Sequence, residues 1–177
     1  MKSRTILLML TVTVFFSALG IVSVSADSKE AKLVREAKTT MAQARQTALA
    51  KSGGTVEFSR LERGKGGKLF FEFEIHNQQK HEVEIHIDAI SGEIFSFEEE
   101  SGKVSASKNA MLTGTKISMD EAEKTALGRI SGAVVFAAVE KERGKILYEF
   151  EIINTSGNEV TVHVDSTSGQ IESVDED

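Results

Sequence analysis

Four histidines and a crowd of glutamates hold most of the chemistry open to this chain, and their spacing decides what that chemistry is. His81-Glu82-x-x-x-His86 approaches the His-Glu-x-x-His pattern of zinc proteases, with one residue too many. Its neighbours alternate as strands do, and two strand side chains five apart point to opposite faces and cannot share a metal. Glu72, Glu74, Glu84 and His86, by contrast, all turn to the solvent side of the strands that carry them. Carboxylates and imidazoles gathered this way suit a divalent cation. The set recurs downstream as Glu149, Glu151 and His163, with Thr161 where Glu84 stood. Glu84, His86 and His163 are therefore candidate metal ligands, weighed against the ordinary role of alternating charge as a solvated face.

No catalytic residue and no cofactor site is assigned. The chain has no Gly-x-Ser-x-Gly elbow and no cysteine. His86 with Asp88, and His163 with Asp165, are strand neighbours two apart, and each aspartate precedes a Ser-Gly turn that its carboxylate can cap. Gly64, Gly66 and Gly67 lack the Gly-Lys-Ser/Thr ending of a phosphate loop and read as a hairpin turn. Phe70, Phe95 and Phe97 are the partner-binding candidates. Alternation puts Phe70 on the wet face, and Leu147, Glu172 and Val174 occupy the corresponding positions downstream. Such a patch either receives a partner or covers an interface inside the molecule.

These residues belong to a stretch that occurs twice. Leu69–Phe97 aligns without a gap on Ile146–Val174, so that Phe71 falls on Tyr148, Phe73 on Phe150, His86 on His163 and Asp88 on Asp165. A repeat of this length marks a duplicated structural unit. In the first unit, Thr40 and Gln43 fit a capping box that opens a helix with Met41, Ala44, Ala48 and Leu49 on one side, ended by Gly53 and Gly54. Thr55–Glu62 then reads as a strand with Val56 and Phe58 inward and Glu57 and Ser59 outward. Strands follow with Leu69, Phe71, Phe73 and Ile75 inward, then Val83, Ile85 and Ile87 inward, then Ile94–Phe97 after the Ser91-Gly92 turn. The second unit repeats this plan, with Ser118 and Glu121 as the capping box, Ala122, Ala126, Leu127 and Ile130 as the buried stripe, Gly132 as the stop, and Val134 and Phe136 in place of Val56 and Phe58. The expected fold is α+β: two repeated units, each one helix packed on a four-stranded antiparallel sheet.

The division reads as a leader over 1–26, a helical or frayed lead-in over 27–39, the first unit over 40–100, a flexible linker over 101–114 and the second unit over 115–177. Lys2 and Arg4 precede an apolar run from Ile6 to Val24, and Val24-Ser25-Ala26 offers small residues for a signal peptidase. The chain is thus expected to be exported, periplasmic or secreted, and to stay on a membrane only where that segment is left uncleaved. A net charge of −6 over 177 residues excludes nucleic-acid binding, which rests on basic surface against phosphate.

The capped helix, the Tyr148-Glu149-Phe150-Glu151-Ile152 strand, and Val164, Asp165, Ser168, Gly169 and Ile171 of the hairpin resemble a PepSY domain, whose pattern runs Y-x-V … V-D-x-x-T-G-x-I. The first unit resembles it too, with Phe71 in place of the tyrosine. The resemblance spans roughly Met41–Phe97 and Ile117–Val174 and implies a tandem PepSY, cystatin-like architecture. It further implies a small secreted or envelope domain of a kind found in protease propeptides, with a role in restraining protease activity. The family brings no catalytic residues. The function expected is therefore a non-enzymatic exported binding module that inhibits or regulates a secreted or envelope protease, the partner being a protein. The alternative is a metal-binding or envelope-sensing module that uses the acidic, histidine-bearing sheet face.

Overall fold

The computed structural model describes residues 28–176, so the leader expected over 1–26 lies outside the described residues. The first unit contains α2 (Met41–Ser52) and strands β1 (Thr55–Arg63), β2 (Leu69–His76), β3 (His81–Asp88) and β4 (Ile94–Lys103), preceded by α1 (Lys29–Glu36). The second contains α4 (Met119–Arg129), β5 (Gly132–Glu142), β6 (Lys145–Asn154), β7 (Glu159–Asp165) and β8 (Ile171–Glu176), preceded by α3 (Ala106–Thr113).

Local chemistry sets the boundaries. Both capping boxes form: Thr40 Oγ1 accepts from Gln43 N and Gln43 Oε1 from Thr40 N, while Ser118 and Glu121 exchange the same pair of bonds. Gly53 closes α2 at φ 64°, a conformation in which a side chain would be strained. Gly132 does not stop α4, whose C-cap is Ile130; it opens β5, where an added Cβ would lie 2.2 Å from the Ile153 carbonyl oxygen. Close approach of two backbones, rather than helix termination, requires glycine at that position.

Each unit is a helix on an antiparallel meander, and the two meanders are fused. β1 pairs antiparallel with β5 through Phe58–Ala138, Ser59–Ala137 and Arg60–Phe136, giving one eight-stranded sheet in the order β4-β3-β2-β1-β5-β6-β7-β8. A four-stranded unit alone would leave β1 as an open edge, and pairing the two edges removes both. Phe71, Phe73, Ile75, Val83, Ile85 and Ile87, with Tyr148, Phe150, Ile152, Val160, Val162 and Val164, form the core against the helices. Ala44, Ala48, Ala122 and Ala126 are fully buried, so the helices lie close to the strands.

Two further expectations are corrected, and the choice between a helical and a frayed lead-in is decided. A bulge between Val56 and Phe58 shifts the alternation, so Ser59 and Leu61 are buried and Phe58 turns to the opposite face; Val134 and Phe136 repeat the shift. The lead-in is an ordered helix, capped by Ser28, whose Ala31 and Leu33 are buried and which packs on β1, β5 and β6, across both units. The stretch expected as a flexible linker continues β4 to Lys103 and then forms α3, where Ser105 caps the first turn and Leu112 is buried. A short polar helix with one buried leucine has little periodicity, and composition alone cannot distinguish it from coil.

Candidate functional site

The bulges and the alternation together assemble one continuous face on the side of the sheet opposite the core. In the first unit, Glu72 lies beside His86 on β3 and Arg60 on β1 in the strand register. Arg60 Nε donates to Glu72 Oε2 at 2.7 Å and lies 3.1 Å from Glu62. Glu84 Oε1 is 2.8 Å from His86 Nε2, yet that buried nitrogen lacks the alignment of a hydrogen bond. The ligating atoms of Glu72, Glu84 and His86 all fall within 4.8 Å of one another.

Phe70 and Phe95 complete this corner. Phe70 stacks on His86 with ring centroids 4.6 Å apart and meets Phe95 edge-on at 5.6 Å. A bulge beside the His86–Ser96 pair brings Phe95 to this face, and the Lys68 ammonium sits 4.1 Å above its ring. Phe70 is buried by this packing, while Phe95 is 44% exposed. Phe97 pairs in register with Ile85 on the core side, with Lys51 of α2 over its ring. The three aromatic candidates therefore divide: two share a corner with His86, and the third lies on the other face.

In the second unit, Glu149 lies beside His163, and Glu140 on β5 approaches from the other side, with His163 Nε2 3.1 Å from Glu140 Oε1. Glu140, Glu149 and His163 again place their ligating atoms within 4.8 Å of one another. The sequence echo named Glu149, Glu151 and His163, but Glu140 supplies the third group and Thr161 leaves the Glu84 position empty of charge. Glu140 carried a usable signal in its alternation with Ala138 along β5. The missing step was the register that sets β5 beside β6.

Crowding shows in the protonation of this face. Burial, then the neighbouring Glu82 and Glu57 carboxylates, raise the Glu74 carboxyl above its ordinary value. Burial, then Glu140, raise Glu149 in the same sense. The turns behave oppositely. Asp88 accepts from Ser91 N and Ile90 N, which hold its carboxyl down to about 2, and Asp165 is lowered by Ser168 N and Thr167 N. Both aspartates are thus turn formers. His81 bonds Glu99 on the core side of β3, so His81 and His86 do not converge.

This geometry defines a class before it defines a relative: two helix-on-sheet units joined edge to edge, with one helical face and one acidic, aromatic-cornered face. The family model described as "Peptidase propeptide and YPEB domain", PepSY, matches residues 38–98 and 116–175, and the chain belongs to that family as a tandem pair. Among solved structures it is similar to a candidate lipoprotein from Clostridium difficile 630, at 20% identity and a TM-score of 0.46, covering 82% of this chain and 97% of that one. It is also similar to the YpmB protein from Bacillus subtilis, at 15% identity and a TM-score of 0.35, covering 77% and 97%. The Bacillus megaterium YpeB C-terminal domain follows at 12% and 0.30, covering 77% and 62%. Among curated proteins, no match reaches significance.

Proposed function

We propose that this chain is an exported, non-enzymatic binding module that restrains or regulates a secreted or envelope peptidase, and that the face opposite its helices receives the partner. The supporting observation is the face itself. It runs across both units, carries Glu74 and Glu149, raised by burial and then by neighbouring carboxylates, and exposes Phe95 beside His86. A partner that brings cationic groups relieves that crowding on binding. The family's link to peptidase propeptides supports a peptidase as the partner, and the apolar leader pattern of Met1–Ala26 supports export. Among the described residues, no helix is long and apolar enough to cross a membrane.

The test is titration of peptidases exported by the same cell with the chain, reading residual activity and complex formation. Inhibition or a complex at micromolar concentration or below, weakened by salt, is the expected result. Absence of both at about 100 μM for every peptidase would reject the proposal.

A second reading rests on the two Glu-Glu-His clusters: each could hold a divalent cation, with solvent completing the coordination. Calorimetry with zinc, copper and calcium tests it. Binding stoichiometry near two, reduced to one by His86→Ala or by His163→Ala, supports it, and no heat below about millimolar ion excludes it.

A further inference from the structure

The seam between the units is built as a twofold pairing. Helix α2 and strand β1 align with α4 and β5 at a separation of 78 residues, so that Thr40 corresponds to Ser118 and Phe58 to Phe136. The two strands cross at Ser59–Ala137, a residue facing its own counterpart, and Phe58 meets its counterpart Phe136 edge-on with centroids 5.3 Å apart. The strand order reads the same from either edge of the sheet. This is the self-complementary geometry of an isologous dimer interface, in which groups near the axis meet copies of themselves.

Where the two helices meet, a pair of counterparts breaks the symmetry by charge. Arg45 of α2 and Glu123 of α4 are counterparts, and they meet: Arg45 Nη2 donates to Glu123 Oε2 at 2.5 Å, with side chains 1% and 7% exposed. Arg45 Nη1 donates to Asp120 Oδ1, also at 2.5 Å, and the counterpart of Asp120 is the uncharged Ala42. A pairing of two first units would bury arginine against arginine here. A pairing of two second units would bring four carboxylates together with no cation. Arg45 Nε is buried without a hydrogen-bond partner, so this contact is not one optimised for stability. A buried ion pair kept at that cost is best attested as a device that selects partner and register.

We propose that the α2–β1 surface is a selective docking surface whose fitting partner is a second unit of this same sequence, and that Arg45 reads Asp120 and Glu123 as the mark of an unlike unit. The device prevents like units from pairing through their β1 or β5 edges, which would otherwise link separate chains.

Two full-length variants test this, Arg45→Glu and Glu123→Arg, prepared separately and then mixed. Each places like charges on the axis within its own chain, weakening the pairing of its units on the order of a hundredfold. Across chains the charges are complementary again. The expected result is a species of twice the chain mass by light scattering, present in the mixture and in neither variant alone. A mixture that behaves as the sum of its parts overturns the proposal. A further variant, Arg45→Leu/Asp120→Asn/Glu123→Leu, keeps the volume and removes the mark. It is expected to remain folded but to associate with rising concentration, whereas a folded variant that stays monomeric wherever the parent chain does contradicts selection by charge.

Discussion

Glu72 and Glu149 hold the same place in the repeat, each beside a histidine at the middle of the acidic face, yet they meet different neighbours. Glu72 is answered by Arg60 at 2.7 Å. At the Arg60 position the second unit has Ala138, and Glu149 instead has Glu140 nearby; burial, then Glu140, raise its carboxyl above its ordinary value. The same substitution logic runs through the molecule. Asp88 and Asp165, the capping boxes and the core pair Phe73 and Phe150 are retained because the hairpins, the helices and the packing between them need them. The copies diverge at Arg45 and Glu123, Arg60 and Ala138, Glu84 and Thr161, and Phe95 and Glu172, all at the seam or on the open face. The retained residues thus build the scaffold, and these divergent ones lie where the units meet or on the open face.

The largest effects are expected in the shared core. Phe73→Ala and Phe150→Ala remove equivalent, fully buried rings, and each is expected to cost about 3–5 kcal/mol in urea unfolding. Because one sheet joins the units, each variant should lower a single shared transition, and two resolved transitions would show that the units unfold separately.

The turn aspartates come next. Asp88→Ala and Asp165→Ala each remove a carboxylate that accepts two backbone N–H bonds, with expected losses of about 1–2 kcal/mol. Both carboxyls are lowered in the folded state, so their contribution is present above the unfolded value and is lost as pH falls. For Asp88 that loss runs from the ordinary value of 3.8 down to about 2. The urea-unfolding stabilities of the parent and the two variants should therefore converge as pH falls.

A smaller difference separates Tyr148 from Phe71. The Tyr148 hydroxyl donates to the Ile117 carbonyl at 2.7 Å, tying β6 to the start of α4, while Phe71 has no such group. Tyr148→Phe should cost about 1 kcal/mol in chemical denaturation. The smallest effect is also the most diagnostic, because its sign differs between the units. Glu149→Gln removes a carboxylate whose folded form favours the proton, so it should stabilise the chain by about 0.5 kcal/mol at pH 7, solvent screening keeping the effect small, and lose that benefit as pH falls from the raised folded value to the ordinary 4.5. Glu72→Gln removes the partner of Arg60 and should destabilise by a similar amount. Equal signs for the two would refute the contrast drawn between them.

Much of this architecture was legible in the residues. The two capping boxes, the hairpins and the duplicated unit are carried by short-range patterns: side chains that reach backbone donors three residues away, period-two alternation, and glycines at positive φ in the Ser-Gly turns. What eluded the pattern was long-range or irregular. A bulge leaves no mark in alternation until the partner strand is known, and so Phe58 and Ser59 exchange faces. The fusion of β1 with β5 depends on two edges meeting, and neither edge announces its partner. Arg45 lies beside Ala44 on the buried side of α2 marked by Met41, Ala44, Ala48 and Leu49, and only its proximity to Asp120 and Glu123 explains its burial. Of the acidic face, Glu84, His86 and His163 could be named from the strands that carry them, while Glu140 required the register of β5 on β6 and Arg60 that of β1 on β2.

The central claim is that the face opposite the helices is where this chain meets its partner. Hydrogen exchange of the chain, free and saturated with an exported peptidase that it binds, tests that claim most directly. Added protection is expected along β3, β4 and β6, around His86, Phe95 and Glu149, with helices α2 and α4 unchanged. Protection confined to α1, α2 and α4, with those strands unaffected, would contradict it.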